Sequence, residues 1–203
     1  MIKTLIFDFG DVFINLDKKG AMQNALDVFN LETFEEDMIT TNEHYEVGKI
    51  STVEFLEFYK TKFSTINETK LIDTWNYIIK DFPLHRLEFI KKLANQNDYN
   101  LILLSNTNDM HIDFVKETVP FFDEFKNCFD AFYLSQEINL RKPNTAIFDF
   151  VLKENNLTAS DCLFVDDTKD NTDTADAMGF YTWNIDETKE DVVTLFETKK
   201  LLF

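Results

Sequence analysis

Four short runs along the chain are apolar without alternation: Thr4 to Phe7 (TLIF), Leu101 to Leu104 (LILL), Ala131 to Leu134 (AFYL) and Cys162 to Val165 (CLFV). A strand that is apolar on both faces must be covered on both faces, the condition of a parallel sheet packed between helices. Helical periodicity fills the intervals. Leu84, Leu87, Ile90, Leu93 and Ala94 keep i, i+3, i+4 spacing ahead of LILL. Pro143, suited to a first helical turn, opens a helix over Thr145 to Leu152 ahead of CLFV. The stretch DNTDTADAMGF reads as a short helix closed by Gly179, with a further strand at Phe180 to Trp183, and FETKKLLF reads as a closing helix. This alternation predicts an α/β fold, a Rossmann-like, doubly wound parallel sheet.

One region breaks the alternation. From about Asp17 to Phe82 only helical patterns occur, among them STVEFLEFYKTKF, which begins with a capping box of Ser51 and Glu54 and carries Phe55, Leu56, Phe58, Tyr59 and Phe63 as its apolar side. The expected organisation is an α/β core over 1–16 and 83–203 with a small all-helical cap over 17–82. Such an insertion hangs over the carboxyl end of the first strand, where open α/β sheets bind ligands.

Composition limits the partners. At 203 residues and 44% hydrophobic content, the chain can bury one full core, and with only 4 Gly and 3 Pro it has no room for long disorder. The formal charge of −17 is spread along the sequence and repels nucleic acid and anionic membrane, so neither is expected as a partner. A phosphorylated substrate would be repelled too, unless a bound cation and local lysines reverse the sign at the site. Cys128 and Cys162 lack metal-ligand spacing and read as reduced thiols in or near the core. His44, His85 and His111 are scattered and read as structural or surface residues, His44 being the one placed to reach a substrate from the cap. Neither a signal peptide nor an apolar run of membrane-spanning length is visible, so the expected address is cytoplasmic and the expected state a monomer or weak homo-oligomer.

Each predicted strand ends in a polar residue of a particular kind. The first ends at Asp8, LILL at Ser105 and Asn106, AFYL is followed by SQEINLRKPN with Lys142, and CLFV ends at Asp166 and Asp167. Strand ends of a parallel sheet share one edge, so these groups converge there. An aspartate can attack phosphorus and split one difficult displacement into two easier ones. Its approach to a phosphate dianion calls for a hard cation, and magnesium takes carboxylate and phosphate oxygens. Asp8, Asp166 and Asp167 offer such ligands, Lys142 a point charge, and the Ser105 hydroxyl a donor to phosphate. Gly10 lets backbone approach an ion closely.

The ordered set FDFGDV, LLSNT, RKP and FVDDTKDN resembles the four motifs of the haloacid dehalogenase (HAD) superfamily, over nearly the whole chain. HYEVGKISTVEFLEFY is similar to cap sequences of its bacterial sugar-phosphate phosphatases. The resemblance implies a magnesium-dependent phosphatase acting on a small phosphorylated metabolite through an aspartyl-phosphate. Asp8 becomes nucleophile and metal ligand, the Gly10 carbonyl a second ligand, Ser105 with Asn106 the phosphate holders, and Lys142 the motif-three lysine. Asp167 becomes a direct metal ligand and Asp166 a direct or water-mediated one, with Asp170 or Asn171 in the same loop.

One departure matters. Phosphatases of this superfamily usually carry an acid/base aspartate two positions after the nucleophile, where this chain has Gly10; Asp11 follows one position later, as a possible supporting residue. Losing general acid/base help slows a reaction by about 10² to 10⁴, which favours esters whose leaving group needs little protonation. Gly10 also opens the alternative of a catalytically weak phospho-ligand-binding or regulatory protein. A phosphomutase fits less well, since it leans harder on that acid, and a metal-free dehalogenase conflicts with the acidic pair Asp166 and Asp167.

Overall fold

A computed structural model describes residues 1–203. Five parallel strands, β1 (Thr4–Phe7), β2 (Asn100–Ser105), β3 (Ala131–Leu134), β4 (Cys162–Asp166) and β5 (Tyr181–Asn184), form one sheet in the order β3-β2-β1-β4-β5. After β1 the chain first builds outward through β2 and β3, then returns to the other side of β1 for β4 and β5. The reversal lies between β1 and β4, where a doubly wound sheet leaves a crevice at its carboxyl edge.

The unalternating runs have the expected cause. Leu5, Phe7, Leu101, Leu103, Leu163 and Val165 pack into a core on one face, while Ile6, Ile102, Leu104, Cys162 and Phe164 pack into a second core on the other. Four helices, α1 (Lys18–Phe29), α2 (Glu36–Glu46), α3 (Thr52–Lys62) and α4 (Glu68–Asn76), lie between β1 and β2 and form the cap. The cap has its own aromatic core, including Phe29, Tyr45, Phe55 and Tyr59, joined by Met110 from below. The expected capping box starts α3: the Ser51 hydroxyl accepts from the Glu54 N–H, and Glu54 Oε2 accepts from the Ser51 N–H at 2.8 Å. Around the sheet lie α5 (Leu84–Gln96), α6 (Asp109–Thr118), α7 (Phe122–Lys126), α8 (Ser135–Ile138), α9 (Thr145–Glu154), α10 (Lys169–Ala177) and α11 (Leu195–Thr198). No helix is long and apolar enough to cross a membrane.

Three local expectations need correction. Pro143 does not open α9: it follows a cis Lys142–Pro143 peptide, and Asn144 is the cap, its side chain accepting from the Ala146 N–H at 2.9 Å. The last strand begins at Tyr181 rather than Phe180, because the Phe180 N–H closes α10 by donating to Ala175 O, with Gly179 left-handed at φ 90°. The closing helix spans only Leu195–Thr198, and the chain then turns so that Phe203 packs on Phe196 and Tyr99.

Candidate active site

The site is assembled at the strand ends around one buried lysine. Asp8 still belongs to the sheet, its N–H donating to Val165 O at 2.9 Å. Lys142, from the loop after α8, donates from Nζ to Asp8 Oδ1 at 2.8 Å, to Asp166 Oδ2 at 2.6 Å and to Leu104 O at 2.7 Å. These acceptors satisfy all the donors of an ammonium group. Lys142 and Asp166 are both 0% exposed. The Asn106 side chain clamps the lysine backbone, accepting from Lys142 N at 2.9 Å and donating to Lys142 O at 2.8 Å. Asp166 also accepts from the Thr168 N–H at 2.8 Å and from Asn171 Nδ2 at 3.0 Å.

Carboxylate oxygens of Asp8, Asp166 and Asp167 lie within 4.8 Å of one another. Burial raises the Asp8 carboxyl to about 7; Lys142 pulls it down, and the charges of Asp166 and Asp167 push it further up. Burial raises Asp167 as well, against the attraction of Lys18, whose ammonium pairs with both Asp167 and Asp11. Lys142 stays raised because the two carboxylates outweigh the opposing effect of its own burial. Three carboxylates at this spacing, offering only oxygen donors, match the requirement of a hard divalent cation such as magnesium. Asp8 and Asp167 are the members of the cluster on the cavity wall, whereas Asp166 is committed to Lys142, Thr168 and Asn171 beneath it.

A cavity of about 430 Å³ brings together Asp8, Gly10, Ser105, Asn106 and Lys142, along with Asp167 and Asn171. Asp11 is left off its wall. With φ 54°, that residue turns the chain after β1, its Oδ1 accepts from the Leu16 N–H at 2.8 Å, and its Oδ2 lies 2.9 Å from Lys18 Nζ. Its carboxylate is therefore spent on the turn. Gly10 occupies a tight place: a Cβ there would meet Leu16 Cδ1 at 2.6 Å and Asp8 Oδ2 at 3.9 Å.

Several cavity residues carry no signal in the sequence. Lys18, Glu46, His111 and Arg141 line this cavity and also a second one of about 450 Å³ beneath the cap. Arg141 Nη1 donates to Glu43 Oε1 at 3.2 Å and its Nη2 lies 3.0 Å from Glu46 Oε2. Adjacency to Lys142 could have flagged Arg141; nothing in the sequence places Lys18 or Glu46 there, since both depend on how the cap closes. His111 is a structural residue within the wall: it pairs with Asn108 Nδ2 and Trp75 O, and burial lowers it to about 4. His85 pairs with Asp191 at 2.9 Å, and His44 lines neither cavity.

Comparison with known proteins agrees with this geometry. The family model of haloacid dehalogenase-like hydrolases matches residues 2–179. The D-ribitol-5-phosphate phosphatase of Bacteroides thetaiotaomicron is 32% identical over 196 residues, covering 90% of this chain and 91% of that protein. A HAD family enzyme from the same organism, crystallised as a magnesium complex, is 29% identical with a TM-score of 0.84 over 96% of this chain and 98% of that one. Its wild-type complex with magnesium and inorganic phosphate is 28% identical with a TM-score of 0.83, covering 97% and 100%. Together with the aspartate cluster, these relatives make the site that of a magnesium-dependent phosphatase acting on small phosphate esters through an aspartate nucleophile. The chain belongs to the haloacid dehalogenase-like hydrolases.

Proposed function

We propose that Asp8 is the nucleophile and that the substrate is a phosphate monoester of a polyol or sugar, its phosphate at the strand ends and its alcohol beneath the cap. The observation that carries this reading is the placement of Lys142, which holds one oxygen of Asp8 and leaves the residue on the cavity wall. A lysine so placed fixes the direction of attack and neutralises charge that builds as the phosphoryl group transfers. Asp8, Asp167 and the Gly10 carbonyl would hold magnesium, with Asp166 supporting from below. When bound, the ion offsets the charge of the phosphate dianion. Ser105 donates its hydroxyl to a phosphate oxygen, Asn106 keeps Lys142 in register, and Asn171 keeps Asp166 in place.

The alcohol site has the character a polyol needs. Asn42, Glu43 and Thr74 offer hydrogen-bonding groups on the wall of the 450 Å³ cavity, beside Trp75 and Phe55. That a relative is D-ribitol-5-phosphate phosphatase supports the same class. We assign the cap to 17–82 and the core to 1–16 and 83–203, and place the protein in the cytoplasm as a monomer or weak homo-oligomer. Phosphate release from ribitol 5-phosphate, sugar 1- and 6-phosphates and p-nitrophenyl phosphate, with magnesium or with EDTA, tests the reading. The expected result is magnesium-dependent release with a polyol or sugar phosphate preferred at least about tenfold in kcat/KM, or roughly 1.4 kcal/mol. Equal use of all esters would contradict polyol recognition.

A further inference from the structure

Cleaving the phosphate ester of a polyol leaves an alkoxide, which needs a proton as the bond breaks. Neither residue near the usual position supplies it: Gly10 has no side chain, and Asp11 is off the cavity wall with its carboxylate bound to the Leu16 N–H and Lys18. His111 is half-buried, its imidazole lowered to about 4 by its surroundings, with Nε2 facing Trp75 O and Nδ1 facing Asn108 Nδ2. Besides Asp8 and Asp167, the carboxyl groups on the core-side cavity are Glu46 and Asp170, and Asp170 does not reach the cap-side cavity.

We propose that Glu46, carried into the site by the cap, is the catalytic acid and base that Gly10 leaves out. Glu46 lines both cavities, so it stands where the phosphate end of a substrate meets its alcohol end, at the oxygen that must be protonated. As the last residue of α2, it is fixed to the core through the backbone. The Ser135 hydroxyl donates to Glu46 O at 2.6 Å, and Asn139 Nδ2 donates to Val47 O at 2.8 Å. Its Oε2 is buried 3.0 Å from Arg141 Nη2 without hydrogen-bond geometry, while the side chain as a whole keeps 34% of its surface exposed and lines both cavities. The charged and titratable groups around it are Arg141 and Glu43, with Lys18 and His111 on the same cavity walls. Burial raises the Glu46 carboxyl, Arg141 opposes, and Glu43 adds to the rise. A raised carboxyl holds a proton to donate closer to neutral pH.

This assignment rests on the phosphatase reading with Asp8 as nucleophile. In the first step an Asp8 oxygen bonds to phosphorus while the ester P–O bond breaks, and the departing oxygen takes the proton of Glu46. In the second, Glu46 takes a proton from water as the water oxygen bonds to phosphorus and the bond from Asp8 breaks. Phosphate and alcohol leave, and both carboxyl groups return to their starting states.

Pre-steady-state kinetics of Glu46→Gln on p-nitrophenyl phosphate and on ribitol 5-phosphate test it. The aryl ester needs no proton to leave, so nitrophenolate should appear in a stoichiometric burst, followed by turnover slowed about a hundredfold or more. Ribitol 5-phosphate should show no burst and a loss of similar size. Arg141→Gln, which breaks the same ion pair but keeps the carboxyl, should show no burst on either ester. Equal slowing of both esters by Glu46→Gln without a burst, a burst in both variants, or Glu46→Gln rates within roughly threefold of wild type would overturn the assignment. A wild-type enzyme inert on every ester would instead overturn the phosphatase reading on which it stands.

Discussion

Lys142 shows how much one residue can decide. Its ammonium is fully buried and bonded to Asp8, Asp166 and Leu104 O, so two carboxylates depend on it for charge and direction. Lys142→Met leaves those carboxylates facing each other in the interior, a change expected to cost about 3–5 kcal/mol at pH 8. At pH 5 the loss should be smaller, because the Asp8 carboxyl, already raised by burial, takes up a proton. Urea unfolding at the two pH values checks this, and an equal loss at both would contradict it. Asp8, Ser105, Lys142, Asp166 and Asp167 were legible in the sequence because each stands at or after the end of an apolar run, a local pattern. Asp11 was not, since its role depends on φ 54° and a bond to the Leu16 N–H. Lys18 and Glu46 were not, because their neighbours lie 149 and about 95 residues away along the chain.

Among the elements, the C-terminal end of α2 has the most consequence, since it holds the cap against the core. Gly48 there is left-handed at φ 64°, and a Cβ would stand 2.2 Å from Gln136 O and 2.9 Å from Asn139 Nδ2. Alanine in that conformation costs about 1–2 kcal/mol by itself, and the contact with backbone oxygen forces α2 off α8 in addition. Gly48→Ala should therefore lower thermal stability by more than the conformational cost and raise KM for a polyol phosphate; unchanged stability and KM would contradict the docking described. The cap's helical character was readable from spacing and from the Ser51–Glu54 box, which are local. Its docking was not, because it rests on Ser135, Asn139 and Arg141 meeting α2 across the fold. The start of α9 at Thr145 was legible, but the role given to Pro143 was not its own: the proline lies two residues ahead of a helix capped by Asn144.

For the whole molecule, a net charge of −17 must coexist with an anionic substrate. The site resolves this by placing Lys18, Arg141 and Lys142 on the cavity and by gathering carboxylates that attract a divalent cation. Protons and cation compete for those carboxylates, which makes stability pH-dependent. Asp8 sits near 7 in the fold, against about 3.9 for an unfolded aspartate. Between those values the native state holds a proton that the unfolded chain has lost, so this contribution to stability falls as pH rises through the window. Magnesium binds the deprotonated form, and its stabilising effect should grow from pH 5.5 to pH 8. At a concentration a hundredfold above its dissociation constant the gain is about 2.7 kcal/mol, or roughly 5–10 °C in Tm for a chain of this size. Thermal scans with magnesium and with EDTA at both pH values check the trend; a gain that shrinks with rising pH would contradict it.

The role of Asp8 as nucleophile is tested most directly by trapping the covalent intermediate. Enzyme turning over a sugar or polyol phosphate with magnesium is quenched with borohydride, which reduces an aspartyl-phosphate to homoserine, and the chain is mapped by mass spectrometry. Homoserine is expected at position 8, dependent on both substrate and magnesium, with neither modification nor phosphate release in Asp8→Asn. Phosphate release by an enzyme whose Asp8 is never modified, or turnover by Asp8→Asn, would contradict it.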